Sequence, residues 1–292
     1  AACGYDAVEL STTGLDVVAN GKVRWQQVER VRAVCEKFPL TYTIHPPNRL
    51  NLAYGPNHQL ERDNFLAVLE VCAALGARVM VYHSGLIALE RVRAGLRGLP
   101  DEAEREEAAA QEVTALQELM PEAAARGVTV AMENRDPHAW ELAVLRREGR
   151  PPEELTLYHG GLVVSNLIRQ IKEVGHPDLG ICLDLAHLFL ATNHLGLDYL
   201  AAVAEAAPYV RHIHANDNFG QLDDAFDSLG DRNPYGDGDL HLPPGWGRIP
   251  LGAALARLRD VQSLLILEIR PRYREHLADA LVTMRGIVAA TD

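Results

Sequence analysis

In six short β-branched runs of this sequence, a position in inward register at or just beyond the end of the run carries an imidazole or a carboxylate. His45 follows Thr41 and Thr43 in the two-residue period of a strand, His83 follows Val79 and Val81, and Glu133 follows Thr129 and Ala131. Asp184 shares a face with Cys182, His214 with His212, and Glu268 with Leu264 and Ile266. Two further groups extend the set. His187 stands three positions after Asp184 in LDLAH, and Asp239 and His241 alternate in GDGDLHLPPG, which puts them on one side of an extended segment. Any one such residue is ordinarily a hydrogen-bonded surface group. Gathered in one place, they would suffer desolvation and mutual repulsion unless a cation compensated them. Divalent metal supplies that compensation; mixed imidazole and carboxylate ligands suit Zn, Mn, Fe or Co, and the lack of thiolate ligands argues against clusters and structural zinc.

The elements that must position these residues alternate short strands with longer helical patterns, which is the signature of βα units around a parallel sheet. Strands are expected at 5–11, 40–45, 78–83, 128–133, 179–184, 210–217 and 264–269. Between them, apolar residues at three-to-four spacing predict helices such as 24–38, 61–75, 103–126, 165–174, 251–260 and 275–290, several closed by a glycine (Gly76, Gly127, Gly175). One domain over 1–292 with a TIM (β/α)8-type barrel follows, its ligand residues at the C-terminal mouth. Such a barrel needs eight strands, and the opening AACGYDAVEL reads as the tail of a helix entering a second strand. The first strand is therefore expected to be missing from a truncated or processed chain, the alternatives being closure with seven strands or with a partner. The segments 136–165 and 218–250 are longer than usual connections and belong to the same mouth.

Composition narrows the function. A formal charge of -12 disfavours the phosphate backbone of nucleic acids and anionic membranes, whose binding relies on released counterions, and favours small substrates. No apolar run reaches the roughly 18–20 residues of a membrane span and no signal segment is evident, so a cytoplasmic protein is expected. Cys3, Cys35, Cys72 and Cys182 are scattered and read as free thiols.

The blocks VAMEN, GICLDLAH, HIHANDN, HLPPGWGRIP and LILEIRP, in this order, resemble the xylose-isomerase-like superfamily, which holds sugar isomerases and epimerases together with the endonuclease IV family. Resemblance to the first group implies one divalent metal, Zn or Mn, on Glu133, Asp184, His214 and Glu268. Glu133 and Glu268 would be the catalytic pair relaying a proton, and His187 would touch a substrate hydroxyl. The physics is compatible, since a metal stabilises a developing oxyanion while two carboxylates remove and return a proton. TIHPPNRLNLA and VYHSG also resemble the endonuclease IV family, which implies three metals. These would sit on His45, His83 and Glu133; on Glu133, Asp184, His214 and Glu268; and on His187, Asp239 and His241, for phosphodiester hydrolysis. The DNA-handling equipment departs from that pattern: STTGLDVVANGK lacks basic and aromatic side chains, Arg49 reads as a surface group, and the loop carrying Asp223, Asp224 and Asp227 is acidic.

Other residues divide between roles. Glu9, Arg270 and Trp246 are candidates for substrate binding, with a structural hydrogen bond, a salt bridge and loop packing as their respective alternatives; Arg272 reads like Arg270. His212, one inward position deeper than His214, reads as a core histidine, while His58, His138, His159, His176, His194 and His276 show no ligand pattern. The expected function is a metal-dependent isomerase or epimerase of a small sugar, polyol or sugar phosphate. The alternatives are a multinuclear zinc phosphodiesterase and a noncatalytic metal-binding subunit. Self-association as a homo-oligomer is compatible with the sequence.

Overall fold

The computed structural model describes residues 3–54, 57–83, 89–223 and 232–291. Among them lie nine strands: β1 (Ala7–Ser11), β2 (Val18–Ala19), β3 (Lys22–Val23), β4 (Thr41–His45), β5 (Val79–His83), β6 (Thr129–Glu133), β7 (Leu179–Asp184), β8 (Val210–Ala215) and β9 (Leu264–Leu267). Seven of them form one parallel sheet in the order β1-β4-β5-β6-β7-β8-β9, curled into a nearly closed barrel with helices outside. The expected strand positions hold, and the α/β barrel is the observed fold. β1 and β9 do not pair; a cleft of about 810 Å³ lies between them, lined in part by Val8, Leu265, Leu267, Leu281 and Met284. The small pair β2–β3 is a hairpin turned by Asn20 and Gly21 at φ 48° and 73°, the left-handed pair that matches strand twist.

Alternation along the strands divides the two faces. Ile44, Met80, Tyr82, Val130, Met132, Ile181 and Leu183 are buried against the outer helices, forming the main core. Inside, Val81, Ala131 and Cys182 make a small apolar layer beneath the mouth. Compact side chains there fill the narrow barrel and leave the wider top to His45, His83, Glu133, Asp184 and His214, all of them buried.

The segment 136–165, expected as a long connection, carries the helices Ala139–Arg147 and Leu155–Tyr158. Leu142, Leu145, Leu155 and Tyr158 build a second core with Leu89 and Val92, so this is a packed cap on the mouth. Helices Leu185–Leu195 and Tyr199–Ala206 lie where LDLAH and the following segment run on from β7. No helix of the described residues is long and apolar enough to cross a membrane. All four cysteines are free, as expected. Asp224 and Asp227 of the acidic loop lie outside the described residues, as do Ser84 and Gly85 of VYHSG.

Candidate metal centre

Sheet register brings the ligand candidates together. His83 pairs with Glu133 and Asp184 with His214, while Glu133 pairs with Cys182, one inward position below Asp184. Glu268 follows β9 directly, its N–H donating to the Ala215 carbonyl at 3.1 Å. The loop bearing Asp239 and His241 is tied to the end of β8 by reciprocal Asp217–Leu242 backbone hydrogen bonds of 2.9 and 3.0 Å. The Asp217 carboxylate accepts from the N–H groups of Asn218, Gly245 and Ile249 at 2.9–3.1 Å, folding HLPPGWGRIP against the barrel. Gly247 is required at this fold: a Cβ there would stand 2.3 Å from the Asn218 carbonyl oxygen and from Asp217 Oδ1.

Three groups of ligand atoms result. At the centre, His214 Nδ1 is 2.9 Å from Glu133 Oε1, 3.5 Å from Glu268 Oε2 and 4.0 Å from Asp184 Oδ2. Ligand atoms around a tetrahedral ion with bonds near 2.1 Å stand roughly 3.4 Å apart, so these separations bracket what a metal requires. On one side, His187 Nε2 lies 3.8 Å from Asp239 Oδ2, which also contacts His241 Nε2. On the other, His45 Nε2 and His83 Nε2 are 3.5 and 2.5 Å from Glu133 Oε2. Asp184 Oδ2, Glu268 Oε2 and Asp239 Oδ1 are buried with no hydrogen-bond partner among the described residues. Buried carboxylate oxygens are costly without a partner, and a divalent cation is the partner this donor set fits.

Electrostatics follow the crowding. Burial, reinforced by Glu133 and Glu268 against the pull of His187, raises Asp184 to about 6. Glu133 stays well below the usual carboxylate range because His83 and His214 outweigh its burial. His83 is driven down to about 3, first by burial and then by the guanidinium of Arg135.

All nine residues expected as ligands converge on the mouth. Glu9 lies beneath it: its carboxylate accepts from Thr43 Oγ1 at 2.9 Å and faces His212 Nε2 and His214 Nε2 at 3.0 Å each. His212 is accordingly a fully buried, partnered core histidine. Arg270 grips the ligand loop, Nη2 donating to the Asp239 carbonyl at 2.6 Å. Trp246 packs against Tyr273 and His276, with ring centres 5.6 and 4.8 Å away.

Sequence reasoning passed over the residues just after Glu133. Asn134 clamps β7, its side chain donating to the Asp184 carbonyl at 2.9 Å and accepting from the Asp184 N–H at 2.8 Å. Arg135 is buried against His83, and Asp136 Oδ1 lies 3.8 Å from His187 Nε2. His138 and His159, set aside in the sequence, meet around the buried Glu141 at 3.0 and 3.3 Å. The capping-box spacing of HAWE was the available signal for the first of these contacts.

The nearly closed parallel barrel, with histidines and carboxylates gathered at its mouth, defines a TIM barrel. Residues 1–285 match the family model described as xylose isomerase-like TIM barrel, and the chain belongs to that family. A solved D-tagatose 3-epimerase-like protein is 16% identical, with 99% of this chain and 90% of that one covered at a TM-score of 0.68. The IOLI protein with a bound zinc atom is 17% identical, covered 99% and 90%, with a TM-score of 0.65. The 3-keto-D-glucoside 4-epimerase of E. coli is 16% identical, covered 98% and 90%, with a TM-score of 0.64. At these identities the likeness establishes the fold. No curated protein sequence matches the chain.

Proposed function

We propose that the protein is a metal-dependent isomerase or epimerase of a small sugar, polyol or sugar phosphate. The observation that carries this reading is the pair Glu133 and Glu268, whose carboxylates approach His214 Nδ1 at 2.9 and 3.5 Å from different strands. A Zn or Mn ion held by Glu133, Asp184, His214 and Glu268 would polarise a substrate carbonyl or hydroxyl. Glu133 is fully buried at the floor, while Glu268 is about one-third exposed at the rim. The difference suits one carboxylate that takes a proton out of solvent's reach and one that returns it from the other side. His187, fixed by donating Nδ1–H to the Asn134 carbonyl at 3.1 Å, points Nε2 into the mouth, where it holds a substrate hydroxyl or a second ion.

Epimerase relatives in the fold, the zinc of one neighbour and the acidic charge support a small, hydroxylated substrate. The test is incubation of the zinc- or manganese-loaded protein with ketoses, aldoses and their phosphates in deuterium oxide. Deuterium should appear at a carbon next to the carbonyl, together with an epimer or isomer, and should vanish in Glu133→Gln. Absence of exchange with every sugar, beside hydrolysis of bis(p-nitrophenyl) phosphate, would sink this reading. That outcome would favour the second one, a multinuclear phosphodiesterase, which the convergence of His187, Asp239 and His241 supports.

A further inference from the structure

An imidazole offers one nitrogen to a cation when the other carries the ring proton, and that second nitrogen is normally held by an acceptor. Four histidines of the mouth meet this requirement. His45 Nδ1 is 2.8 Å from the Pro46 carbonyl, His187 Nδ1 3.1 Å from that of Asn134, and His241 Nδ1 2.7 Å from that of Glu268. His214 Nε2 is 3.0 Å from the Glu9 carboxylate. His83 does not: its Nδ1 lies against Nη1 of Arg135, a group that only donates and stays charged at every accessible pH.

That contact is a hydrogen bond only when Nδ1 of His83 is the bare nitrogen. The ring proton then sits on Nε2, 2.5 Å from Glu133 Oε2, and a protonated nitrogen binds no metal. The opposite tautomer would set N–H against N–H and place a divalent charge beside a buried guanidinium. Arg135 has little room to swing away. Its backbone N–H donates to the Gly161 carbonyl at 2.9 Å, its neighbour Asn134 is clamped to β7, and the residue is 8% exposed.

We infer that Arg135 occupies electrostatically the corner formed by His45, His83 and Glu133, so that the mouth takes at most two metal ions and His83 orients Glu133 as a proton donor. The inference rests on the metal-binding reading of the site and deepens it. Charge is consistent: Glu9, Glu133, Asp136, Asp184, Asp239 and Glu268 supply the carboxylates, which two divalent ions and one guanidinium nearly neutralise and a third ion would overcompensate. Arg135 is on this account a positioning residue, acting on Glu133 through His83.

The test counts zinc per chain by elemental analysis after chelator stripping, reloading and dialysis of the whole protein. Wild type should hold no more than two equivalents, and His83→Ala the same number as wild type. Arg135→Gln, whose amide oxygen can accept from Nδ1–H, should gain one equivalent that the double variant with His83→Ala loses. Three equivalents in wild type, one of them lost in His83→Ala, would overturn the inference; no gain in Arg135→Gln would overturn the assignment to the guanidinium. Ring nitrogen-15 shifts of His83 give a readout independent of metal count and of activity. They should show Nε2 protonated and Nδ1 bare, and the reverse pattern would overturn the tautomer. Should no variant bind zinc, the metal reading of the function fails, while the nitrogen shifts of the apo protein still decide the role of Arg135.

Discussion

His214 Nε2 lies 3.0 Å from Glu9 Oε1, deep in the barrel, while its Nδ1 faces the candidate ligand carboxylates. A carboxylate behind a ligand imidazole fixes the tautomer and raises the basicity of the nitrogen offered to the cation. Glu9 remains charged, well below the usual carboxylate range, because His214 and His212 outweigh its burial. Glu9→Gln keeps the shape and removes the charge. Zinc affinity should fall about 10- to 100-fold in a competitive chelator titration, with an unchanged circular dichroism spectrum. Unchanged affinity would reduce Glu9 to a packing residue.

Glu268 contributes its side chain to the mouth and its backbone carbonyl to His241. Glu268→Ala therefore deletes the carboxylate while leaving the loop contact in place. Isotope exchange should drop by about 10²–10⁴-fold and metal affinity should weaken, with the melting temperature of the apo protein within a few degrees of wild type. Full exchange activity in this variant would remove Glu268 from the catalytic pair.

The barrel and the six ligand candidates at its strand ends were legible because both rest on strict two-residue alternation: a strand that places Val81 inward must also place His83 inward. Arg135 and Asp136 follow their strand in a turn, where no periodicity says which way a side chain points. Only the path of that turn, bonded to Gly161 and locked by Asn134, carries Arg135 back over His83. Asp239 and His241 met for another reason than the extended geometry expected of them. His241 has φ 48°, so the chain kinks there, and the convergence depends on the Asp217–Leu242 bridge. The cap over 136–165 was read as loop because its REGRPPEEL stretch is polar; its apolar residues pair with Leu89 and Val92, far away in sequence.

The His138–Glu141 pair ties that cap down, and its pH dependence has a definite sign. His138 is raised from 6.5 to about 9, since Asp136 and Glu141 outweigh the burial that would lower it. Its contribution is complete below 6.5 and lost as pH rises through about 9. Glu141 is held far below 4.5, His159 and His138 outweighing its burial, so its contribution is complete above 4.5 and lost in strong acid. Both are complete between those limits. The melting temperature of His138→Ala should therefore fall furthest below wild type near pH 5–6, by roughly 2–4 °C if the pair contributes about 1 kcal/mol, and the gap should narrow toward pH 10. A gap that widens with pH would contradict the charged pair.

His241 combines a left-handed backbone with a ring held at both nitrogens, Nδ1 on the Glu268 carbonyl at 2.7 Å and Nε2 on Asp239. A non-glycine residue is kept in that conformation only when its surroundings require it, and such positions cluster at functional sites. Asparagine tolerates the same backbone far better than a β-branched residue, so two substitutions separate the ring from the strain. His241→Asn should lose one of two zinc equivalents while the apo protein melts close to wild type. His241→Val should lose the same equivalent and in addition be destabilised by about 1–2 kcal/mol in denaturant titration. If His241→Asn keeps its full zinc content, His187 and Asp239 do not share an ion with His241. The phosphodiesterase reading then loses the observation that supports it, and the mouth is left as a single-metal site around His214.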